Sequence, residues 1–334
     1  MINRMEKALG IRRELKAQET PASLLQAAKR EIEIKKSKDP LLTKPDDVFA
    51  SMKSGNEIRG NYAKLEFLKL KEDDLAIAIT DIHGDREKLQ AVLDYIKSKR
   101  AEIKGDIHLI NMGDTSSGAS GAEEDVEAIF DLLKGNKNGE YKLHMLRGNV
   151  ERDAQPATGL FDKIKNDDQG TSVFPAMTDL LEALPSTLFL ETENGPIMLT
   201  HSTLPLVNKK RFEREGLGIF SRSAGEIDGL GMREPSGTWA TFDGEREESA
   251  YGGKKMFQLG KDTFRSIFKT LDLKIILRGH DSSLIKKKAK ETGVHQSILE
   301  NGEVDTFHTS RKATGDIGIF AEITADGEVE FKKV

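Results

Sequence analysis

The stretch Leu75-Ala-Ile-Ala-Ile-Thr-Asp-Ile-His-Gly-Asp85 joins an apolar run to a group of polar side chains. An unbroken apolar run of this length predicts a strand that is buried on both faces. Asp81 and His83 follow the run, and in open α/β sheets ligand-binding residues gather beyond the carboxyl ends of such strands. Residues two apart in an extended chain project to the same side, so both side chains should reach one cation. Gly84 then permits a tight turn.

Four further apolar runs end in the same way, each at a side chain that can bind a metal. Asp114 follows the run at 107–110, Asn149 follows 143–146, His201 follows 197–200, and His280 follows 275–277. A mixed set of oxygen and nitrogen ligands suits manganese, iron or zinc better than calcium. The pattern therefore predicts a site for two divalent metal ions, with manganese the leading choice. The predicted metal ligands are Asp81, His83, Asp114, Asn149, His201 and His280.

Such a pair of cations has a well-defined chemistry. Two cations about 3.5–4 Å apart can clamp a phosphate and lower the pKa of a bridging water towards neutrality. The resulting hydroxide would attack phosphorus in line with the leaving oxygen, and no covalent enzyme intermediate is needed. A carboxylate can bind one cation with each oxygen, so we expect Asp114 to bridge the pair and to be a catalytic residue. The residues thus predict a dinuclear metallohydrolase.

Composition limits the remaining classes of function. The 334 residues are 37% hydrophobic and 32% charged, which is typical of a globular protein with a sizeable core. A net charge of −5 gives no sign of the broad basic surface of a nucleic-acid binder. The absence of cysteine excludes a disulfide framework, a thiolate metal site and a cysteine-nucleophile phosphatase. Without a long apolar run or an apolar signal-peptide core, we expect no membrane span.

The order of apolar and amphipathic segments predicts the fold class. Residues 1–48 are highly charged and we interpret them as a helical extension, followed by a catalytic domain at 49–334. Strand and helix patterns alternate between 72 and 150, with helices at 86–100 and 123–133, which indicates parallel βαβ units. After 185 short strands dominate, interrupted by a helix at 263–271. We expect an α/β sandwich of two mixed sheets flanked by helices, with a long functional loop or lid at 216–253.

These residues resemble the motifs of the calcineurin-like metallophosphoesterases, and within them the phosphoprotein phosphatase (PPP) family. The family's motifs appear as Asp81-Ile-His83-Gly84, Gly113-Asp114, Leu146-Arg-Gly-Asn149, His201 and Arg278-Gly-His280. Thr238-Trp239, 257–278 and 313–320 are similar to further family segments, so the resemblance covers roughly 72 to 332. It implies the family's βαβ sandwich and a phosphomonoesterase activity, with a phosphorylated protein as the expected substrate; the mild net charge predicts no nucleic-acid partner.

The departures from the family pattern affect the expected chemistry. The histidine that the resemblance would make the general acid is Val150 here. The aspartate that orients that histidine falls at Ser116 or Ser117, and the neighbouring phosphate-gripping arginine falls near Gly118. General acid catalysis is typically worth about 10²–10⁴-fold. The phenol of tyrosine has a pKa near 10, far below that of a serine hydroxyl, so a phenolate leaves with less need for protonation. Phosphotyrosine is therefore a better candidate substrate than phosphoserine.

Other charged residues are assigned less specific roles. Arg147 and Arg278 precede metal ligands; we predict that both belong to the catalytic residues and expect them to brace the site more than to grip the substrate. Candidates for a replacement acid or phosphate contact, each more typical of a surface charge, are Glu151, Arg152, Asp153, Arg233, Lys254, Lys255 and Arg311. His144 and His308 lack a ligand motif and are expected to be structural or exposed, and His295 is expected in a surface loop.

Three functions stay open on this basis. The first is a metal-dependent protein phosphatase, the second a dinucleoside-polyphosphate or other nucleotide hydrolase of the same superfamily, and the third a pseudophosphatase that binds a phosphorylated partner without turnover. The charged N-terminal segment and the divergent motifs resemble effector phosphatases of the Wip type from intracellular bacteria. They suit an ordinary cytoplasmic enzyme equally well, and the oligomeric state is open.

Overall fold

The computed structural model describes residues 60–62, 65–116, 122–153, 180–181, 184–203, 213, 240–242, 248, 250–251, 257–281, 284–286, 289, 291–310 and 317–334. The predicted extension at 1–48, Trp239 and most of the predicted 216–253 loop lie outside these residues. The boundary between 48 and 49 therefore stays a prediction.

Fifteen strands and four helices make up the described part of the chain. The strands are β1 (Gly60–Tyr62), β2 (Leu65–Lys69), β3 (Leu75–Ile79), β4 (Ile107–Asn111), β5 (Lys142–Met145), β6 (Thr187–Thr192), β7 (Gly195–Thr200), β8 (Ala240–Phe242), β9 (Ala250–Tyr251), β10 (Phe257–Leu259), β11 (Ile275–Arg278), β12 (Val294–Leu299), β13 (Gly302–Phe307), β14 (Ile319–Thr324) and β15 (Val329–Lys333). The helices are α1 (Arg86–Arg100), α2 (Ala122–Lys137), α3 (Asn149–Asp153) and α4 (Lys261–Leu271).

The first sheet has five strands in the order β15-β14-β3-β4-β5. Strands β3, β4 and β5 are parallel, whereas β14 runs antiparallel to β3 and to β15. Ile79 pairs with Asn111, and Asn111 pairs with Met145. Because the three strands stay in register up to these residues, the segments that follow them leave the sheet at one edge, as expected from the sequence.

The second sheet has seven strands in the order β1-β2-β6-β7-β11-β13-β12. Its centre is parallel, with Arg278 of β11 paired to Thr200 of β7 on one side and to Thr306 of β13 on the other. The segments after β7, β11 and β13 therefore also start at one level. The predicted ligands His201 and His280 follow the first two of these strands, and His308 follows the third.

The two sheets pack face to face, with helices on the outer face of the five-stranded sheet. Ala78 of β3 belongs to the same buried cluster as Leu190 of β6 and Leu199 of β7. A second cluster joins Ile77 of β3 to the apolar stripes of α1 and α2. Each fully buried isoleucine or leucine contributes roughly 1.5–3 kcal/mol to stability. The predicted α/β sandwich of two mixed sheets flanked by helices is confirmed, and the helices at 86–100, 123–133 and 263–271 correspond to α1, α2 and α4.

The structure corrects two details of the sequence interpretation. Part of the segment predicted as a loop forms strands, because β8 and β9 pair with β10 in a third, three-stranded sheet. His295, expected in a surface loop, lies on the edge strand β12. None of the helices in the described ranges is long and apolar enough to cross a membrane.

Candidate metal centre

The backbone is strained at the residues that supply the candidate ligands. Asp81, His83, Asp114 and His280 all have positive φ values, of 52°, 49°, 52° and 68°. This left-handed region costs a residue with a side chain on the order of 1–3 kcal/mol, and such strain concentrates at functional sites. The expectation that Asp81 and His83 lie on extended chain is therefore wrong. Their side chains converge because each residue turns back sharply at the strand end.

Hydrogen bonds between neighbouring loops hold this conformation. The backbone N–H groups of Asp81, His83 and Gly84 donate to the carbonyl oxygens of Gly113, Asp114 and Thr115 at 3.0, 2.9 and 2.9 Å. These three hydrogen bonds tie the segment after β3 to three successive residues of the segment after β4. Such over-determination is what allows left-handed residues to persist without glycine.

The first ligand group consists of Asp81, His83 and Asp114. His83 Nε2 lies 3.4 Å from Asp81 Oδ1 and 3.8 Å from Asp114 Oδ2. His83 Nδ1 lies 3.2 Å from the carbonyl oxygen of Ser116, a contact that fixes the proton on Nδ1 and leaves the Nε2 lone pair for a cation. The three side chains could hold one metal ion.

The second ligand group consists of Asp114, Asn149, His201 and His280. His201 Nε2 lies 3.5 Å from Asp114 Oδ2, 2.9 Å from Asn149 Oδ1 and 3.2 Å from His280 Nδ1. If the Asn149 amide is rotated by 180°, its NH₂ group can donate hydrogen bonds to the same two ring nitrogens. Such bonds require that both nitrogens carry lone pairs. Asn149 opens α3, which turns its amide towards the two histidines.

The electrostatics of the buried groups favour the metal-binding protonation states. Burial lowers the pKa of His201 to about 4 and that of His280 to about 3, so both rings are neutral near pH 7. Burial alone would raise the pKa of Asp81, but His308 and His201 lower it well below its ordinary value. Neutral imidazoles and ionised carboxylates are the forms that bind divalent cations, so the donor set fits such ions.

Another group with metal-ligand chemistry lies away from this centre. Asp74, Asp106 and His108 come together between the start of β3 and the start of β4. Asp74 accepts hydrogen bonds from the backbone N–H groups of Lys71 and Asp106 at 3.0 and 2.8 Å, and Asp106 pairs with Lys142. These carboxylates already have structural partners, so we do not count them in the metal centre.

Glu151 stabilises the loops that carry the candidate ligands Asp114 and Asn149. Its Oε2 accepts hydrogen bonds from the backbone N–H groups of Asp114 and Gly148 at 2.8 and 2.9 Å, and its Oε1 accepts one from Thr115 at 2.8 Å. It is buried, with 3% of its surface exposed, so the interpretation as a surface charge is wrong. Burial raises its pKa, while the backbone N–H donors oppose that rise. With both oxygens engaged, Glu151 positions two loops and is not directed at a substrate.

We predict that Glu151→Gln lowers the free energy of unfolding of the metal-free protein by about 2–3 kcal/mol. Both carboxylate oxygens accept N–H donors, so the glutamine NH₂ must face at least one backbone N–H in either orientation. Affinity for divalent metal should fall by about 10–100-fold, as for other residues that orient ligands. Urea unfolding and metal titration measure the two effects.

Glu191→Gln is the matched control, because among the described residues the Glu191 carboxylate pairs with the partly exposed Lys69 at 3.3 Å. Its loss should change stability by no more than about 1 kcal/mol. Equal stability and metal affinity for Glu151→Gln and the control would contradict the positioning role.

Two glycines allow the strand ends to approach the ligands. A Cβ atom on Gly148 would lie 2.2 Å from Asp114 Oδ1, and one on Gly279 would lie 2.1 Å from Asp81 Oδ2. No side chain fits at such distances. Both positions therefore need glycine for close approach of the backbone to a metal-ligand carboxylate.

The two arginines before the ligands differ in their surroundings. Arg278 is fully buried, donates from Nε to the carbonyl oxygen of Ser202 at 2.8 Å, and pairs through Nη1 with Asp281. It ties the segment after β7 to the segment after β11. Arg147 is partly exposed, and its backbone N–H donates to the carbonyl oxygen of Pro185 at 2.7 Å. These contacts agree with bracing for Arg278, while a catalytic role for either arginine stays a prediction.

The remaining predicted residues fall in several places. Val150 lies in α3, partly exposed, and its backbone N–H donates to Asp114 Oδ1 at 2.9 Å. His144 is buried and bonds Glu66 Oε1 at 2.7 Å, away from the centre. Candidates whose side chains or whole residues lie outside the described part of the chain are Ser117, Gly118, Arg152, Asp153, Arg233, Lys254, Lys255 and Arg311.

His308 lies beside the first ligand group, although no sequence motif marks it. It is fully buried, and its Nδ1 lies 3.7 Å from Asp81 Oδ1. Like His201 after β7, it directly follows a strand, but β13 contains Glu303, Asp305 and Thr306 and is not an unbroken apolar run. Of the two alternatives expected for His308, structural or exposed, the structure shows a buried residue.

Comparisons with known proteins agree with this fold. A protein serine/threonine phosphatase from Saccharomyces cerevisiae, described as similar to human phosphatase PP5, superimposes with a TM-score of 0.62 at 14% sequence identity, over 99% of this chain and 94% of that chain. A cold-active protein-tyrosine phosphatase from a psychrophilic Shewanella species gives a TM-score of 0.49 at 13% identity, over 79% of this chain and 81% of that chain. At 14% identity, the likeness to the yeast phosphatase shows the fold alone. No curated protein sequence matched the chain.

The family comparison is more specific. The model of the calcineurin-like phosphoesterase family matches residues 76–283, which is more than half of the chain. That range contains both ligand groups, from Asp81 to His280, together with the strands that position them. The chain belongs to the calcineurin-like phosphoesterase family.

Proposed function

We propose that this phosphoesterase is a phosphoprotein phosphatase that works through two divalent cations and prefers phosphotyrosine. The observation that carries the proposal is the position of Asp114. Its Oδ2 faces His83 Nε2 at 3.8 Å on one side and His201 Nε2 at 3.5 Å on the other, so one carboxylate serves two ligand groups. A shared carboxylate is the arrangement that a pair of cations requires.

Each ligand group has a distinct task in this proposal. Two bound cations, with manganese as the first choice, would neutralise charge on the phosphate and lower the pKa of a water molecule. Asp81 and His83 complete one site and Asn149, His201 and His280 complete the other, with Asp114 common to both. Arg278 and Glu151 keep the strand-end loops at fixed spacing, so that phosphate and water meet in a constant geometry. Arg147 is proposed to brace the segment before Asn149.

Substrate preference follows from the missing general acid. The Val150 side chain has no proton to donate to a leaving oxygen, and its backbone N–H is engaged by Asp114 Oδ1. Among the described residues around the centre, Glu151 is engaged by backbone N–H groups and Asp281 by Arg278. These groups offer no replacement acid, so a good leaving group is favoured. The phenolate of tyrosine meets this need better than a serine or threonine alkoxide does.

The first test compares peptides of one sequence that carry phosphotyrosine, phosphoserine or phosphothreonine. Chelator-treated protein should release no phosphate, and manganese-loaded protein should turn over phosphotyrosine at least about 10²-fold faster than the other two, since acid catalysis is worth about 10²–10⁴-fold. The same protein should be given dinucleoside polyphosphates in parallel.

A series of aryl phosphates tests more directly whether the enzyme lacks a general acid. Without protonation of the leaving oxygen, kcat/KM should fall steeply as the pKa of the leaving phenol rises. A flat dependence, or equal rates on the three peptides, would contradict the role assigned to Val150. Turnover of nucleotides alone would favour the nucleotide hydrolase, and metal binding without hydrolysis of any ester would favour the pseudophosphatase. An effector role of the Wip type and a cytoplasmic or host-cell location stay predictions.

A further inference from the structure

A row of buried polar side chains crosses from one sheet to the other. Glu66 lies on β2 of the seven-stranded sheet, while His108 and His144 lie on β4 and β5 of the five-stranded sheet. His144 Nδ1 lies 2.7 Å from Glu66 Oε1, and His144 Nε2 lies 3.0 Å from His108 Nδ1. The row ends at Asp74, whose Oδ2 lies 3.5 Å from His108 Nε2. Each of the four residues exposes less than a tenth of its surface.

The hydrogen bonds along this row determine which ring nitrogens carry protons. An ionised carboxylate only accepts, so His144 Nδ1 donates to Glu66 and His144 Nε2 keeps a lone pair. His108 Nδ1 must then donate to that lone pair, which leaves a lone pair on Nε2 of a neutral His108 ring. Burial and the neighbouring His144 lower the pKa of His108 to about 4, so the ring is neutral near pH 7.

The lone pair on His108 Nε2 faces another acceptor. Within the described part of the chain this buried atom has no hydrogen-bond partner. Asp74 Oδ2 lies 3.5 Å away, and a carboxylate oxygen cannot donate a hydrogen bond to it. Two atoms that each lie about 2.0–2.2 Å from one cation are about 3–4 Å apart, so this spacing suits two ligands of a common ion. A cation between the two atoms would satisfy both.

Asp106 supplies a third ligand from the start of β4. Asp74, Asp106 and His108 each offer one ligand atom, and these atoms lie within 4.8 Å of one another. Backbone N–H groups of Lys71 and Asp106 hold the Asp74 carboxylate in place, and each of its oxygens keeps a further lone pair. Asp106 pairs with Lys142, but both side chains are about half exposed, and such ion pairs are weak. A divalent cation can therefore displace the ammonium group.

We propose that Asp74, Asp106 and His108 form a separate metal site, which binds one divalent cation of the zinc type and cross-links the starts of β3 and β4. Two carboxylates balance the charge of such an ion, and a neutral imidazole is a donor that zinc accepts. Glu66, acting through His144, fixes the tautomer of His108, as carboxylates do behind metal-bound histidines. The site shares no ligand with the proposed catalytic pair, because it lies at the opposite ends of the same two strands.

Zinc titration of the chelator-treated full chain tests the site without using activity. His108→Gln replaces an imidazole nitrogen by a weakly binding amide, so this site should bind zinc at least about 100-fold more weakly. After gel filtration, the variant should therefore hold one zinc ion fewer than wild type. The matched control is His295→Gln, because His295 lies on the edge strand β12, partly exposed, with Nε2 3.2 Å from Ser297 Oγ. It should hold as many zinc ions as wild type.

The possible results separate this inference from the proposed function. Equal zinc content in wild type and His108→Gln overturns the inference and leaves the catalytic pair untouched. If wild type holds a single zinc ion that His108→Gln loses, the catalytic pair fails while this site stands. Should His108→Gln not fold, wild type labelled with ¹⁵N-histidine and loaded with ¹¹³Cd decides. Coupling of ¹¹³Cd to His108 Nε2 supports the site, whereas a His108 ring that is protonated on both nitrogens and uncoupled to ¹¹³Cd overturns it.

Discussion

Replacing Asp114 by asparagine should lower kcat/KM for metal-dependent phosphate release by at least about 10³-fold. Among the described residues, Asp114 is the carboxylate that faces both ligand groups, with its Oδ2 3.8 Å from His83 Nε2 and 3.5 Å from His201 Nε2. Asparagine keeps the shape and can keep the Oδ1 contact with Val150 N–H. It cannot give a charged oxygen to two cations at once, so at least one of them should bind weakly.

The loss of activity should come from weaker cation binding and not from unfolding of the protein. Asp114 is buried with 3% of its surface exposed, and removing a buried charge from a cluster that also contains Asp81 should leave the metal-free protein at least as stable. Thermal unfolding without metal, metal stoichiometry after gel filtration, and phosphate release are the three measurements. Glu191→Gln is again the control, because that carboxylate pairs with the partly exposed Lys69. Normal turnover by Asp114→Asn would refute the two-cation mechanism.

The sheet layout and the strand-end placement of the ligands could be predicted from sequence. Unbroken apolar runs such as 75–79 and 107–110 have few alternatives to a doubly buried strand, and the polar residue after each run marks where the strand leaves the core. This placement of the ligands does not depend on which strands pair with each other. Parallel strands place their carboxyl ends at one edge whatever their order, so His201 and Asp114 could be expected near one another from opposite sheets.

The backbone conformation at the ligands could not be predicted. Left-handed conformation at Asp81, His83 and Asp114 is uncommon for residues with a side chain and depends on hydrogen bonds between loops from different strands. Those partners are distant in sequence, so no local pattern encodes them. The role of Glu151 could not be predicted for the same reason. Its charge suggests a surface position, but three backbone N–H groups from two distant loops donate hydrogen bonds to its carboxylate in the interior.

His308 shows a different limit. Sequence motifs identify ligands by their neighbours in the chain, and Phe307-His-Thr-Ser310 has no ligand motif. The position of His308 depends on register: Thr306 of β13 pairs with Arg278 of β11, so the residues after both strands emerge side by side. A register is a property of two strands together. It follows from the packing of the whole sheet and cannot be read from either segment alone.

Gly279→Ala is the second substitution with a large expected effect. A Cβ atom there would lie 2.1 Å from Asp81 Oδ2 and 2.2 Å from Thr80 Oγ1, well inside contact distance. Asp81 Oδ2 at present accepts hydrogen bonds from Thr80 Oγ1 at 2.8 Å and from His280 N–H at 2.9 Å. The methyl group must displace the carboxylate, the His280 backbone, or both, and each carries a candidate ligand. A displacement of about 1 Å can cost 10²-fold in rate, so we expect at least that loss in kcat/KM.

Gly139→Ala separates this effect from a general loss of stability. Gly139 has φ +74° with nothing within 4 Å of an added Cβ, so alanine there strains the backbone without touching the metal centre. It should lower stability by about 1 kcal/mol and leave kcat/KM unchanged. Gly279→Ala should instead weaken metal binding even where circular dichroism shows a folded protein, because Asp81 and His280 belong to different ligand groups that meet at this glycine. If Gly279→Ala kept full metal affinity and turnover, the close packing of the two strand ends would not be what sets the ligand geometry.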